Sequence, residues 1–246
     1  MTFDPRAAAD EVVEALRPLG TPERAAQEKR YLKSELDFLG VTLPDIRRMV
    51  TAAARRHPEL TRDEIVAWAL ALWDDALWER RIAAVELLSL RVRALSAADL
   101  PMVEGLIRAG AGWALVDPLA GVAGRIALEH PDAGQRIDAW ALDEDFWVRR
   151  AALLALLPAV RAGQPDLARF DRYATPMLGE REFFIRKAIG WVLREISKSD
   201  PGYVTAWTEQ HIRVMSGVTF REAIRRLPEK DAARLLWAFR RKLPAR

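Results

Sequence analysis

Asp117 is the one acid in a row of bases. Four stretches, Trp78-Glu79-Arg80-Arg81, Trp113-Ala114-Leu115-Val116-Asp117, Trp147-Val148-Arg149-Arg150 and Phe184-Ile185-Arg186-Lys187, each set an aromatic residue shortly before a charged one, and the charged members recur every 33–37 residues. That interval belongs to stacked helical repeats, in which equivalent positions line one surface. The row Arg81, Asp117, Arg150 and Lys187 is therefore expected to be cationic with a single carboxylate in its middle. The paired bases at 80–81, 149–150 and 186–187 open helices, against the macrodipole preference for acids there. Such an arrangement suits phosphate held beside helix N-terminal amides, which makes Arg81, Arg149, Arg150 and Lys187 candidate contacts for a polyanion. On a helix, positions four apart share a face. Trp113 lies four before Asp117 and Trp191 four after Lys187, so both indoles should flank the row, where their faces attract cations by about 0.5–2 kcal/mol. Asp117 has two plainer readings, as a partner for an arginine or as a helix N-cap with Pro118 at N1, and spacing leaves them open. Trp68, Trp73, Trp140, Trp207 and Trp237 read as ordinary core residues.

The elements that position these residues read as helices almost without interruption. Periodicity predicts them over 10–16, 22–36, 45–56, 61–73, 75–92, 96–109, 113–128, 132–142, 146–161, 165–178, 181–197, 200–214, 218–226 and 230–241. An irregular turn over 38–44 is punctuated by Gly40 and Pro44. No alternating Val/Ile/Thr run or Asn-Gly hairpin turn marks a strand. The expectation is an all-α chain of helix pairs, a superhelical solenoid forming one domain over 1–246, with N-terminal helices over about 10–56 and tandem repeats over about 61–241.

Composition narrows the chemistry. Half of the 246 residues are hydrophobic, enough for a continuous core. The chain has no cysteine, which excludes disulfides, thiolate zinc sites and cysteine nucleophiles. His57, His130 and His211 are far apart and match no metal-ligand spacing, so neither metal nor cofactor is expected. There is no Gly-rich nucleotide loop and no Ser-His-Asp order. The net charge is only +3, yet the pI is about 9.4. Lysine occurs at six positions among 38 bases, so arginine dominates, and the balance points to a basic patch. The first residues lack the apolar run of a signal peptide, and no long uncharged apolar stretch occurs, which leads to the expectation of a cytoplasmic protein.

Several segments resemble one family. Tyr31-Leu32-Lys33-Ser34-Glu35-Leu36-Asp37-Phe38-Leu39-Gly40-Val41, the Trp113–Asp117 stretch, Phe146-Trp147-Val148-Arg149-Arg150 and Glu182-Phe183-Phe184-Ile185-Arg186-Lys187-Ala188-Ile189-Gly190-Trp191-Val192-Leu193-Arg194-Glu195 look like the AlkD-type DNA alkylation repair proteins, in the same order and over about residues 10–240. These are DNA glycosylases built from HEAT-like repeats with a concave DNA-binding surface. The resemblance implies a catalytic role for Asp117, a DNA contact near the lesion for Arg150, a site bounded by Trp113 and Trp191, and a lesion-proximal Tyr31. It also implies that the lesion can stay within the duplex and be worked on from the backbone side.

The chemistry so implied is hydrolysis of the N-glycosidic bond of cationic alkylated purines, 7-methylguanine and 3-methyladenine, in base excision repair. A positively charged base is already a good leaving group and needs no general acid. Ordinary glycoside hydrolysis instead uses two carboxyls. One carboxylate then suffices to stabilise an oxocarbenium-like sugar and position water. The expected partner is double-stranded DNA bearing alkylated bases, bound by a monomer with no membrane involved. A non-catalytic DNA clamp and a protein-binding helical scaffold are the competing readings.

Overall fold

Side chains that fit helix starts open many of the helices. Thr21, Thr42, Thr61, Asp145, Asp166, Asp200 and Ser216 each accept a hydrogen bond from a first-turn N–H, and Thr61 forms a reciprocal capping box with Glu64. Each cap satisfies an N–H that the helix itself cannot. The structure is a computed structural model describing residues 3–110 and 112–242. Its α-helices are α1 (Pro5–Leu16), α2 (Pro22–Leu32), α3 (Leu43–Arg56), α4 (Arg62–Trp73), α5 (Trp78–Leu90), α6 (Leu100–Gly110), α7 (Trp113–Glu129), α8 (Gly134–Trp140), α9 (Phe146–Leu154), α10 (Leu157–Arg161), α11 (Leu167–Met177), α12 (Phe183–Ile196), α13 (Pro201–His211), α14 (Gly217–Ala223) and α15 (Glu229–Lys242). Among the described residues there is no strand, only an isolated bridge between Asp37 and Leu77. The all-α, helical-repeat expectation is met.

Packing divides the chain into two compact units between Val122 and Ala123. In the first, α1 packs on α3 and α4, and α5 packs on both of those helices. Ile46, Trp68, Leu72, Val85 and Leu88 fill its interior. In the second, α12 packs on α9 and α14, around Val148, Phe170, Ile185, Ile189 and Phe220.

Within each unit, polar bonds join residues about one repeat apart. Arg62 grips the buried carboxylate of Asp99 at 3.0 Å from Nε and 2.5 Å from Nη2. Asp138 accepts from the Tyr173 hydroxyl at 2.6 Å, and one repeat on Asp171 accepts from Trp207 Nε1 at 2.6 Å and the Tyr203 hydroxyl at 3.0 Å. Burial, with the bonded carboxylate, pushes the hydroxyls of Tyr173 and Tyr203 well above the usual phenol range, so both remain donors.

Three element boundaries depart from periodicity. The expected helix over 22–36 stops at Leu32, because Lys33 turns left-handed at φ 50°. The first helix begins at Pro5 and not at 10, since Asp4 caps it through the N–H groups of Arg6 and Ala7. The expected helix over 146–161 is two helices. Pro158 has no N–H to continue the ladder, and the break presents the Ala155 carbonyl to α7, where a Cβ at Gly124 would sit 2.1 Å away.

Gly121 and Gly124 therefore have opposite constraints on one helix. A Cβ at Gly121 would meet nothing within 4 Å. Gly121→Ala should raise stability by about 0.5–1 kcal/mol through helix propensity, whereas Gly124→Ala should lower it by about 1–3 kcal/mol through overpacking. Urea unfolding midpoints of the two variants check this, and midpoints moving in the same direction would contradict the packing described.

Candidate nucleic-acid interface

The first unit holds Tyr31, Arg81, Trp113 and Asp117. Tyr31, in the last turn of α2, is 72% exposed and meets Trp113 edge to face, with ring centroids 6.0 Å apart and planes at 87°. The loop after it is held by groups that spacing did not single out. Asp37 donates its N–H to the Ala76 carbonyl and accepts from the Trp78 N–H, each at 2.9 Å, while Phe38 stacks on Trp78 at 5.5 Å. Glu79, fully buried, accepts from the N–H groups of Leu39 (3.0 Å), Gly40 (2.8 Å) and Val41 (3.2 Å). A carboxylate with three backbone donors has its desolvation largely answered by charge-assisted bonds. Gly40, at φ 78°, passes so close to α2 that a Cβ would lie 2.3 Å from the Thr21 carbonyl oxygen.

Between this loop, α5 and the start of α7 lies a cavity of about 290 Å³, bordered by Lys33, Ser34, Glu35, Trp78, Arg81 and Trp113. Sequence gave no hint of it. Arg81 forms part of its wall by donating to the carbonyls of Asp75 (3.0 Å) and Ala109 (3.3 Å) and lying over the Trp73 ring at 5.2 Å.

Asp117 is not a helix cap. Helix α7 starts at Trp113, and the Gly112 carbonyl accepts from Leu115 and Val116 at 3.1 and 3.0 Å, which places Asp117 in the second turn with Pro118 inside the helix. Pro118 has no N–H to give the Ala114 carbonyl, a local cost the chain accepts one residue after this carboxylate. Trp113 and Asp117 share a helix face, both partly exposed, and Asp117 is engaged by interactions within the protein.

The second unit holds Arg149, Arg150, Lys187 and Trp191. Arg149 is bidentate on Glu180 at 3.0 and 2.8 Å, and it also donates to the carbonyls of Asp143 (2.5 Å) and Glu144 (2.8 Å). The Glu180 bonds raise its pKa against the opposing effect of burial. Arg150, only 3% exposed, donates to the Phe184 carbonyl and lies over the Phe184 ring at 5.6 Å. Lys187 bonds Glu222, which also receives Arg194. Burial would push the Glu222 carboxyl up, but the Lys187 hydrogen bond and the charges of Arg194 and Lys187 outweigh it and hold the carboxyl below its usual range. Trp191, one turn beyond Lys187, is partly exposed.

Three corrections follow. Arg81 does not belong in register with Arg150 and Lys187. Arg81, Arg149 and Arg186 each donate to a carbonyl six residues earlier, those of Asp75, Asp143 and Glu180, so Arg81 matches the first base of each later pair. Asp117, Arg150 and Lys187 remain equivalent, each fifth in its helix. The bases at helix starts also have an internal use that the macrodipole argument did not foresee, since they tie down the turn before their own helix. Among the tryptophans read as core, Trp68, Trp73, Trp140 and Trp207 are buried, whereas Trp237 is 61% exposed because the core face of α15 is carried by Leu235 and Phe239. The acids Glu79, Glu180 and Glu222 were missed as positioning residues, because a buried acid and a solvated one look alike in sequence.

If Glu79 organises the loop beside Tyr31, Glu79→Gln should cost about 1–3 kcal/mol, since an amide turns its NH₂ on one of the three N–H groups. The urea midpoint measures it, and an unchanged midpoint would show that the loop holds without the carboxylate.

The cavity beside Trp113, the carboxylate one turn along α7 and the internal bonds of the basic pairs can be set beside known proteins. A predicted DNA alkylation repair enzyme from Enterococcus faecalis superposes with a TM-score of 0.78 at 24% identity, over 85% of this chain and 97% of that one. AlkD2 from Streptococcus mutans superposes at 0.57 and 16% identity, over 83% of this chain and 98% of its own, and smu.31 from Streptococcus mutans UA159 does so at 0.57 and 16%, over 84% and 98%. At such identities these likenesses speak for the fold. No curated protein matches the sequence. The family model for the DNA alkylation repair enzyme matches residues 12–227, most of the sequence, and the chain belongs to that family.

Proposed function

We propose that this protein is a DNA glycosylase that hydrolyses the N-glycosidic bond of cationic alkylated purines, with 7-methylguanine and 3-methyladenine as substrates, in duplex DNA and as the first step of base excision repair. Membership of the DNA alkylation repair family supports the substrate class. The observation that carries the chemistry is the placement of Asp117, one turn beyond Trp113 on a partly exposed face and inside a helix that does not need it as a cap.

In this reading the C1′–N bond breaks with its electron pair passing to the purine, which leaves as a neutral base. The sugar becomes an oxocarbenium-like cation that Asp117 stabilises. Water adds at C1′ and gives up a proton to the carboxylate or to solvent, leaving an abasic site. A carboxylate in a partly water-excluded site stabilises developing charge more than it would in bulk water. The Trp113 and Trp191 faces favour the cationic nucleotide over its neutral parent. Tyr31 borders Trp113 and packs beside the lesion.

DNA binding is assigned to Arg81, Arg149, Arg150 and Lys187 with a structural condition. Each already has a partner in the protein, so each reaches a phosphate either with a remaining N–H or by exchanging an internal bond. Arg150, the most buried, must exchange. Such contacts read no sequence, so binding should be salt-sensitive and independent of base order. The protein acts as a monomer in this proposal.

Asp117→Asn should fold and bind duplex DNA but lose base excision by about 10²-fold or more in the single-turnover rate, because the amide keeps the shape and discards the charge. Affinity should hold or improve as repulsion from phosphates is relieved. A variant releasing 7-methylguanine at the wild-type rate would remove the catalytic assignment and leave a DNA clamp.

A further inference from the structure

Trp237 lies on a face of α15 that the fold does not use. The helix packs through Leu235 and Phe239, the latter stacked on Phe220 with centroids 4.0 Å apart and planes at 10°. Trp237 falls between them in sequence and so on the opposite side of the helix, with Arg241 one turn on and its guanidinium 4.5 Å from the indole centroid. Together with Ile212, Arg213 and Ala238 they line an open groove of about 530 Å³. The family match ends at residue 227, before α15 begins.

The surroundings are strongly basic. Residues 211–241 carry eight lysines and arginines against three acids, and one of those acids, Glu222, is already taken by Lys187 and Arg194. Among the described residues neither Arg213 nor Arg241 has a carboxylate partner, and both are exposed. An exposed indole beside uncompensated guanidinium groups has two chemistries to offer, a flat face for an aromatic ring and donors for anionic oxygens. Single-stranded nucleic acid presents both at nucleotide spacing, because its bases have free π faces and its phosphates follow each base. A duplex keeps its base faces stacked, and an acidic peptide leaves the indole unused.

We propose that α15 and the turn after α13 form a binding surface for single-stranded nucleic acid, with a base stacking on Trp237 and phosphates held by Arg213 and Arg241. This goes beyond the glycosylase reading and does not depend on it. For a repair protein, such a surface would hold an unpaired strand.

The test is fluorescence anisotropy of the full-length protein with a labelled oligodeoxythymidine and, separately, with a blunt undamaged duplex. Trp237→Ala and Arg213→Ala should each weaken oligodeoxythymidine binding by about tenfold, Trp237→Phe should retain most of it, and blunt-duplex affinity should stay within about twofold. Both alanine variants change exposed side chains, and circular dichroism of each checks that it folds. Three results would overturn the proposal: unchanged single-strand affinity in Trp237→Ala, an equal loss for duplex and single strand, or displacement of the oligonucleotide by polyglutamate at equal charge concentration. The last would assign the surface to an acidic protein partner. Because base release from blunt duplex is not expected to change in Trp237→Ala, failure here leaves the assignment of Asp117 untouched.

Discussion

The bond from a helix-start arginine to a carbonyl six residues upstream organises much of what surrounds the candidate site. A base in the first turn of a helix opposes the macrodipole and is unfavourable by a few tenths of a kcal/mol. Arg81, Arg149 and Arg186 offset this by capturing carbonyls of the turn that precedes their own helix. A turn carbonyl has no helical partner of its own, so the same bond satisfies a backbone acceptor and fixes the angle at which the next helix leaves. The neighbouring position, fifth in the helix, is then free to differ from repeat to repeat. It holds Asp117, Arg150 or Lys187. The clamp recurs at the fourth position of α5, α9 and α12, whereas α7 has Val116 there, and it is the fifth residue of α7 that carries the chemistry proposed.

This division explains which parts of the molecule were legible in the sequence. Helical period and repeat interval depend on apolar spacing, which every repeat must obey to bury its core, so the all-α architecture and the positions of α5, α7, α9 and α12 could be read directly. The sharing of one face by Trp113 and Asp117 needed only helix geometry. The register of Arg81 could not be read, because adjacent bases look alike until one is seen bonded to a carbonyl. The break between α9 and α10 follows from Pro158, but the seating of the Ala155 carbonyl against Gly124 is a contact between residues distant in sequence and could not be read. Trp237 was misread for the converse reason: a tryptophan in an amphipathic helix counts as core until its neighbours Leu235 and Phe239 are seen to fill that place.

The acids show how charge is arranged around the basic pairs. Glu79 is spent on the backbone of a loop, Glu180 on Arg149, and Glu222 on Lys187 and Arg194. Each neutralises or orders its surroundings and none lies at the fifth helix position that Asp117 occupies. A carboxylate at that position stands where the equivalent residues are cations, a poor choice for attracting phosphate and a sensible one for opposing positive charge on a sugar. In the function proposed, the bonds to Glu180 and Glu222 make DNA compete with internal partners, which ties affinity to the ease of exchanging them.

The measurement that bears most directly on this account is incubation of the wild-type protein, in excess and with a chelator present, with a duplex oligonucleotide containing one 7-methylguanine. The account predicts first-order appearance of free 7-methylguanine with one abasic site per base released, well above the spontaneous rate, and none from the matching guanine duplex. Tight binding of the lesion duplex with release no faster than the spontaneous rate would contradict it.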